Sequence, residues 1–246
     1  MENKLNIVLE KAFGYKSFRK GQEEIVKSIL GKKNTLGVMP TGGGKSICYQ
    51  IPAIIKKGTT IVISPLISLM KDQVNELNSS GISATTINSS MGNKEISDEL
   101  RKIRDNKIKL LYVSPERLLL DSFIELANSI VVPFLIIDEA HCISQWGHDF
   151  RKSYLDINTF IEKMEKKPII GAFTATATEK VMEDIKNTFN ISDDNTFKEN
   201  IDRENLYISV EKDVKKEDYL IDYLKENKGK SGIIYIGSRK EADKLY

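Results

Sequence analysis

The sequence predicts an α/β fold, a parallel sheet flanked by helices, and three observations lead there. Short β-rich runs alternate with longer stretches of helical periodicity, the order expected of strands joined by crossover helices. The helical stretches carry their apolar residues on one face. Polar motifs follow directly on several of the β-rich runs, and open α/β sheets hold their ligands at the carboxyl ends of strands.

In chain order, strands are expected near Thr35–Met39, Thr60–Ser64, Ala84–Asn88, Leu110–Ser114, Phe134–Asp138 and Ile169–Phe173. Ahead of the first, Gln22–Leu30 places Ile25, Val26, Ile29 and Leu30 on one helix face and stops at Gly31. Leu66–Leu77 repeats the pattern with Leu66, Leu69, Met70, Val74 and Leu77. The lysine pairs 32–33, 56–57 and 166–167 fall where helices end and suit the negative end of the helix dipole. Past Asn190 the pattern loosens through the turn-rich Ser192–Asn195. It resumes with a strand at Leu206–Val210, a charged helix at Lys215–Asn227 and a strand at Ser231–Ile236. That last unit reaches only Tyr246, too little to bury a core of its own. The expected division is therefore a first domain over 1–207, then a linker and the truncated beginning of a second over 208–246.

Composition narrows the function classes. The 246 residues are 40% hydrophobic and 29% charged, enough for a real core. Lys and Arg number 37 against 35 Asp and Glu, so bulk charge does not coat nucleic acid, and any contact with it must be local. Two cysteines form no scaffold or zinc-finger spacing and suit a reducing cytosol. No signal peptide or membrane-length apolar run is present, so no membrane role is expected.

Met39-Pro40-Thr41-Gly42-Gly43-Gly44-Lys45-Ser46 lies between a strand and an amphipathic run and reads as a phosphate-binding loop. Its glycines let successive N–H groups point inward, the next helix adds its positive end, and Lys45 supplies a cation for the β- and γ-phosphates. Ser46 would hold Mg²⁺. Met39 stands where the strict pattern has its first glycine. The strand Phe134–Ile137 runs into Asp138-Glu139-Ala140-His141, two adjacent carboxylates at the sheet edge. Asp138 there would hold Mg²⁺ and Glu139 would accept a proton from the attacking water.

Asp138–His141 (DEAH) together with the Met39–Ser46 loop resembles RecQ-family DNA helicases of superfamily 2. Further matches run from about Phe13 to Asn205. Phe13-Gly14-Tyr15, Phe18-Arg19 and Gly21-Gln22 resemble the family's adenine-recognition motif, and Ser64–Gln73 and Ser114–Leu118 two of its DNA-side motifs. Thr174–Ala177 resembles its coupling motif, and Ala140–Tyr154 its aromatic-rich loop, with Lys152 where proline is usual. Ser231–Lys240 resembles the opening of the family's second RecA-like domain.

The resemblance implies a RecA-like sheet, ATP and Mg²⁺ as ligands, and single-stranded and partly duplex DNA as partners. It implies a catalytic set of Lys45, Asp138, Glu139 and His141, with His141 linking the carboxylates to Thr174–Ala177. ATP would be held by Tyr15, Arg19, Gln22, Thr41, Gly42, Gly43, Gly44, Lys45 and Ser46, with Gln22 pairing to adenine and Tyr15 or Arg19 stacking on it. Phe13 and Phe18 remain core candidates. DNA contacts would come from Ser64, Ser114, Gln145, Trp146, Phe150 and Arg151. Ser before Pro at 64 and 114 equally starts helices in any protein, Thr174 and Thr176 equally suit a helix cap, and Trp146 is either a base-stacking platform or a core anchor. The function implied is the ATP-binding lobe of a 3′-to-5′ DNA helicase of the bacterial cytosol, nucleoid-associated. The alternatives are a phosphate-loop phosphotransferase and a non-catalytic ATP- or DNA-binding fragment.

Overall fold

The computed structural model of the chain describes residues 2–88, 91–199 and 206–245. Contacts divide it into two units, 1–201 and 202–246.

The first unit opens with helices α1 (Glu2–Phe13) and α2 (Gln22–Leu30), then strand β1 (Thr35–Val38) and helix α3 (Lys45–Ile55). Strand β2 (Thr60–Ile63), helix α4 (Ile67–Ser79), strand β3 (Ala84–Ile87), helix α5 (Asn93–Arg104) and strand β4 (Leu110–Val113) follow. Helix α6 (Asp121–Ser129), strand β5 (Phe134–Ile137), helix α7 (Asp156–Lys163), strand β6 (Ile169–Thr174), helix α8 (Glu179–Phe189) and strand β7 (Thr196–Lys198) complete it. The strands form one parallel sheet in the order β3-β4-β2-β5-β6-β1-β7.

All six expected strands form. The seventh, β7, lies just past the turn-rich stretch and was not expected; its three residues pair with β1 at the sheet edge. Strands β1, β2, β4 and β5 are buried at every position, because helices cover both faces. Successive side chains of one strand enter opposite cores: Leu135 and Ile137 join one, Phe134 and Ile136 the other. A third, smaller cluster of Leu5, Leu9, Val26 and Ile51 holds α1 against α2 and α3, with Phe13 and Phe18 packed on it, which makes both phenylalanines core residues.

Register aligns the motifs. Val38 pairs with Thr174, Ile137 with both Ala172 and Ile63, and Ile63 with Val113. The residues that follow β1, β2, β4 and β5 therefore emerge in one row along the carboxyl edge, with Thr174 at the end of β6.

The second unit contains helices α9 (Lys216–Glu226) and α10 (Arg239–Leu245). The strands expected at Leu206–Val210 and Ser231–Ile236 do not form. A strand exists only by pairing, and neither segment has a ladder partner among the described residues; Tyr207, Ile208, Ile233 and Tyr235 are exposed. The far end of the family matches, Asn205, lies outside the described residues.

Candidate nucleotide site and aromatic-rich loop

A cavity of about 370 Å³ opens at the carboxyl edge beside the glycine-rich loop. It is lined by Tyr15, Arg19, Gln22, Thr41, Gly42, Gly44, Lys45 and Ser46 on one side and Asp138 and Glu139 on the other. The structure thus brings the loop, the acidic pair and the upstream aromatic motif into one space. Gly43 belongs to the loop but not to the lining. Gly42 (φ 77°) and Gly44 (φ 80°) take the left-handed conformation that lets the loop curl before α3. A Cβ on Gly44 would collide with the Gln22 Nε2. Met39 is fully buried, its sulfur against the Cys48 thiol at 3.7 Å, so a large residue at this position points into the core and leaves the loop free.

The upstream motif holds the loop. Arg19 Nη1 donates to the Gly42 carbonyl at 2.6 Å. Gln22 is 2% exposed; its Nε2 donates to the Gly43 and Gly44 carbonyls at 3.1 and 3.2 Å, and its Oε1 accepts from the Arg19 N–H at 2.8 Å. Both polar ends of Gln22 are thus committed within the protein. Tyr15 stands half-exposed at the rim. Lys45 Nζ donates to the Met39 carbonyl at 3.2 Å.

Burial, followed by repulsion from Glu139, pushes the Asp138 carboxyl up to about 6. Ser46 and Asp138 line the same cavity, and a hydroxyl with a buried carboxylate repelled by its neighbour Glu139 is an oxygen donor set that fits a divalent cation. Glu139 departs from ordinary backbone at φ 48°, where β6 and β2 flank the strand it follows. A hydrogen bond from His141 holds its carboxyl below the usual range, so it is ionised at neutral pH. His141 Nδ1 lies 3.2 Å from Glu139 Oε2 and 2.8 Å from Thr174 Oγ1. Thr174 donates its hydroxyl proton to the Thr176 carbonyl at 3.0 Å, so it accepts from His141, and the network assigns the proton to Nδ1. Thr174 is therefore a link and not a helix cap. The cap of α8 is Thr178, whose Oγ1 accepts from the Val181 N–H at 3.3 Å.

The aromatic-rich loop leaves this network and spans two sides of the edge. On one side Ser144 Oγ donates to Asp184 on α8 at 2.5 Å. On the other, Arg151 donates to Asp149 at 3.1 Å and to the Pro65 carbonyl at 3.2 Å, and Ser153 donates to Glu116 at 3.0 Å. Arg151 has φ −125° and ψ 119°, the extended geometry a following proline would impose, so Lys152 leaves its placement defined. Trp146, Phe150 and Gln145 are exposed, which removes the core-anchor alternative for Trp146. Ser64 and Ser114 are buried, and the Ser64 N–H is bonded to the Val113 carbonyl at 3.1 Å. The Ser64 backbone donor is thus spent in the sheet and is not available to a DNA phosphate.

Three contacts had no signal in the sequence. His148 stacks on His141 with ring centroids 4.1 Å apart. Tyr154 Oη donates to the Asp138 carbonyl at 2.8 Å from the far end of the loop. His141, Cys142 and Asp149 bring one ligand atom each within 4.8 Å, although burial and Asp149 push the Cys142 thiol up to about 12 and keep it neutral.

A family profile described as DEAD/DEAH box helicase matches residues 19–185. The chain is 48% identical over its whole length to "ATP-dependent DNA helicase RecQ" of Bacillus subtilis and covers 42% of that protein. It is 44% identical over 97% of its length to the protein of the same name in Haemophilus influenzae, covering 38% of it. The chain thus spans about two fifths of the length of these curated relatives. Among solved structures, a hypothetical ATP-dependent RNA helicase from Sulfolobus tokodaii matches 81% of this chain and 57% of its own, with TM-score 0.61 and 21% identity. The helicase Lhr of Mycobacterium smegmatis, solved with single-stranded DNA and AMP-PNP, matches 94% of this chain and 33% of its own, with TM-score 0.63 and 18% identity. At these identities the two structures show the shared fold alone, a RecA-like sheet. Among the described residues, no helix is long and apolar enough to cross a membrane.

Proposed function

The chain belongs to the DEAD/DEAH box helicase family, in its RecQ branch, and from that membership we propose that it is the ATP-binding lobe of a 3′-to-5′ DNA helicase. The parent activity couples ATP hydrolysis to movement along single-stranded DNA and to separation of the duplex, in the cytosol at the nucleoid. The opening of a second RecA-like domain is the reading for 208–246.

In this reading Tyr15 and Arg19 flank the adenine, and the Thr41–Ser46 loop takes the triphosphate through its N–H groups and Lys45. Ser46 and Asp138 would hold Mg²⁺, which when bound supplies positive charge to the β- and γ-phosphate oxygens. Glu139, ionised and oriented by His141, accepts the proton of the attacking water. DNA crosses the carboxyl edge, with a base on Trp146 and with Gln145, Phe150, Arg151 and the segments after Ser64 and Ser114 along its path.

One observation supports the coupling most directly: the hydrogen-bonded run Glu139, His141, Thr174 leads from the hydrolytic carboxylate to the segment that starts α8, the helix that also grips the aromatic-rich loop. A phosphotransferase has no use for such a connection. The test is ATP turnover by a chain extended to the length of the relatives. Stimulation by single-stranded DNA, lost in Glu139→Gln, is expected; stimulation by a small acceptor with DNA inert would establish the phosphotransferase instead.

A further inference from the structure

Lys180, in the first turn of α8, places its ammonium 3.5 Å from the centroid of the Trp146 ring. Among the described residues no carboxylate lies within ion-pair distance of it. Four residues further on, Asp184 accepts from Ser144 Oγ, which in turn accepts from the Trp146 N–H at 3.2 Å. Residues four apart share one helix face. The helix therefore grips the loop at two neighbouring points: Asp184 fixes the backbone beside Trp146, and Lys180 covers its ring. Trp146 is still 65% exposed, and beside it lies a cavity of about 280 Å³ lined by His141, His148, Thr176, Ala177, Thr178 and Val181.

We propose that Lys180 is a DNA-contacting residue: its ammonium rests on Trp146 in the DNA-free chain and pairs with a backbone phosphate of the nucleotide whose base stacks on that ring. This rests on the reading of Trp146 as a base-stacking residue. Magnitudes favour the exchange. An exposed cation–π contact favours the covered ring by a factor of about 2–5, whereas a stacked base is worth about 5–150-fold. A base arriving at the covered face displaces the ammonium. The displaced group has a four-carbon stem; Asp184, one turn along the same face, is already bonded to Ser144, and the phosphate of the same nucleotide is the new anion brought within reach of the ammonium.

The experiment is binding of a labelled oligothymidylate to the 246-residue chain, followed by anisotropy across a salt series. Lys180→Ala is expected to bind several-fold more weakly at low salt and to lower the slope of log K against log salt by about 0.7, one phosphate contact to a single strand. Lys180→Arg is expected to keep the slope, and thermal unfolding of both variants to match the parent. Trp146→Ala is expected to lose about 5–150-fold in affinity. An unchanged slope in Lys180→Ala overturns the Lys180 contact whatever Trp146 does, and so does an equal loss of slope in Lys180→Arg. Unchanged affinity in Trp146→Ala overturns the stacking reading separately. If the parent chain does not bind the oligonucleotide at low salt, both are wrong.

Discussion

His141 Nδ1 donates to Thr174 Oγ1 across 2.8 Å, joining the segment after β5 to the end of β6 through two buried side chains. The strands are neighbours in the sheet, so the contact is short although 33 residues separate the pair. Thr174→Val keeps the shape and removes the acceptor. In an extended chain it is expected to leave ATP affinity within about twofold while lowering DNA-stimulated turnover at least tenfold. The missing hydrogen bond should cost about 1 kcal/mol in stability, read by denaturant titration. Unchanged DNA stimulation would show that the link does not carry the coupling.

Gln22 presents a different balance, because its amide already holds the glycine-rich loop. Gln22→Ala is expected to weaken ATP and GTP together by loosening that loop. Because both ends of the amide are committed to the protein, the two losses are expected to be equal; a further loss of ~1–3 kcal/mol for ATP alone, the worth of a bidentate base contact, would show that the amide leaves the loop to read adenine. Lys45→Ala should weaken both nucleotides alike. Titration of each variant with both nucleotides separates the roles: equal losses in Gln22→Ala leave it the loop-holding role only.

Asp138 is predicted to make the metal-free protein less stable as pH rises. Its carboxyl is raised from 3.8 to about 6, so the folded state binds the proton more tightly than the unfolded state. Below the unfolded value both states are protonated and nothing is lost; between 3.8 and about 6 the folded state progressively loses that advantage. The full effect is about 3 kcal/mol at neutral pH. Asp138→Asn should therefore raise the melting temperature at pH 7 without Mg²⁺ and leave it little changed near pH 3.5. A lower melting temperature for Asp138→Asn at pH 7 would contradict this. Mg·ATP affinity of the parent should fall as pH drops below about 6, where proton and metal compete for the carboxylate.

The 246-residue polypeptide is expected to bind Mg·ATP with negligible DNA-stimulated hydrolysis and no strand separation. In the proposed reading Lys45 and the Ser46–Asp138 pair, which line the same cavity, would meet the triphosphate from one side only. Positive charge from a facing domain is typically worth about 10³–10⁵ in rate. A chain extended to the relatives' length should recover hydrolysis. Robust unwinding by the short polypeptide, abolished in Glu139→Gln, would refute this.

The sequence by itself determined six of the sheet's seven strands and the motifs that line the nucleotide cavity. Strands buried on both faces are written as local apolar runs, and the Gly42–Ser46 loop and the Asp138–Glu139 pair each sit directly after one, so their exit at the carboxyl edge follows from the alternation of strand and helix. Tertiary structure decided which groups face one another. The order β3-β4-β2-β5-β6-β1-β7 puts β6 between the loop strand and the acidic strand, and from that alone Thr174 becomes the partner of His141. The same holds for Gln22 on the loop carbonyls, Met39 turned onto Cys48, and Lys180 over Trp146. Strand β7 exists because β1 offers it an edge, while Leu206–Val210 and Ser231–Ile236, just as β-rich in sequence, have no ladder among the described residues. Periodicity and loop chemistry are carried by neighbouring residues, whereas pairing, tautomer and side-chain contact depend on what the fold brings up against them.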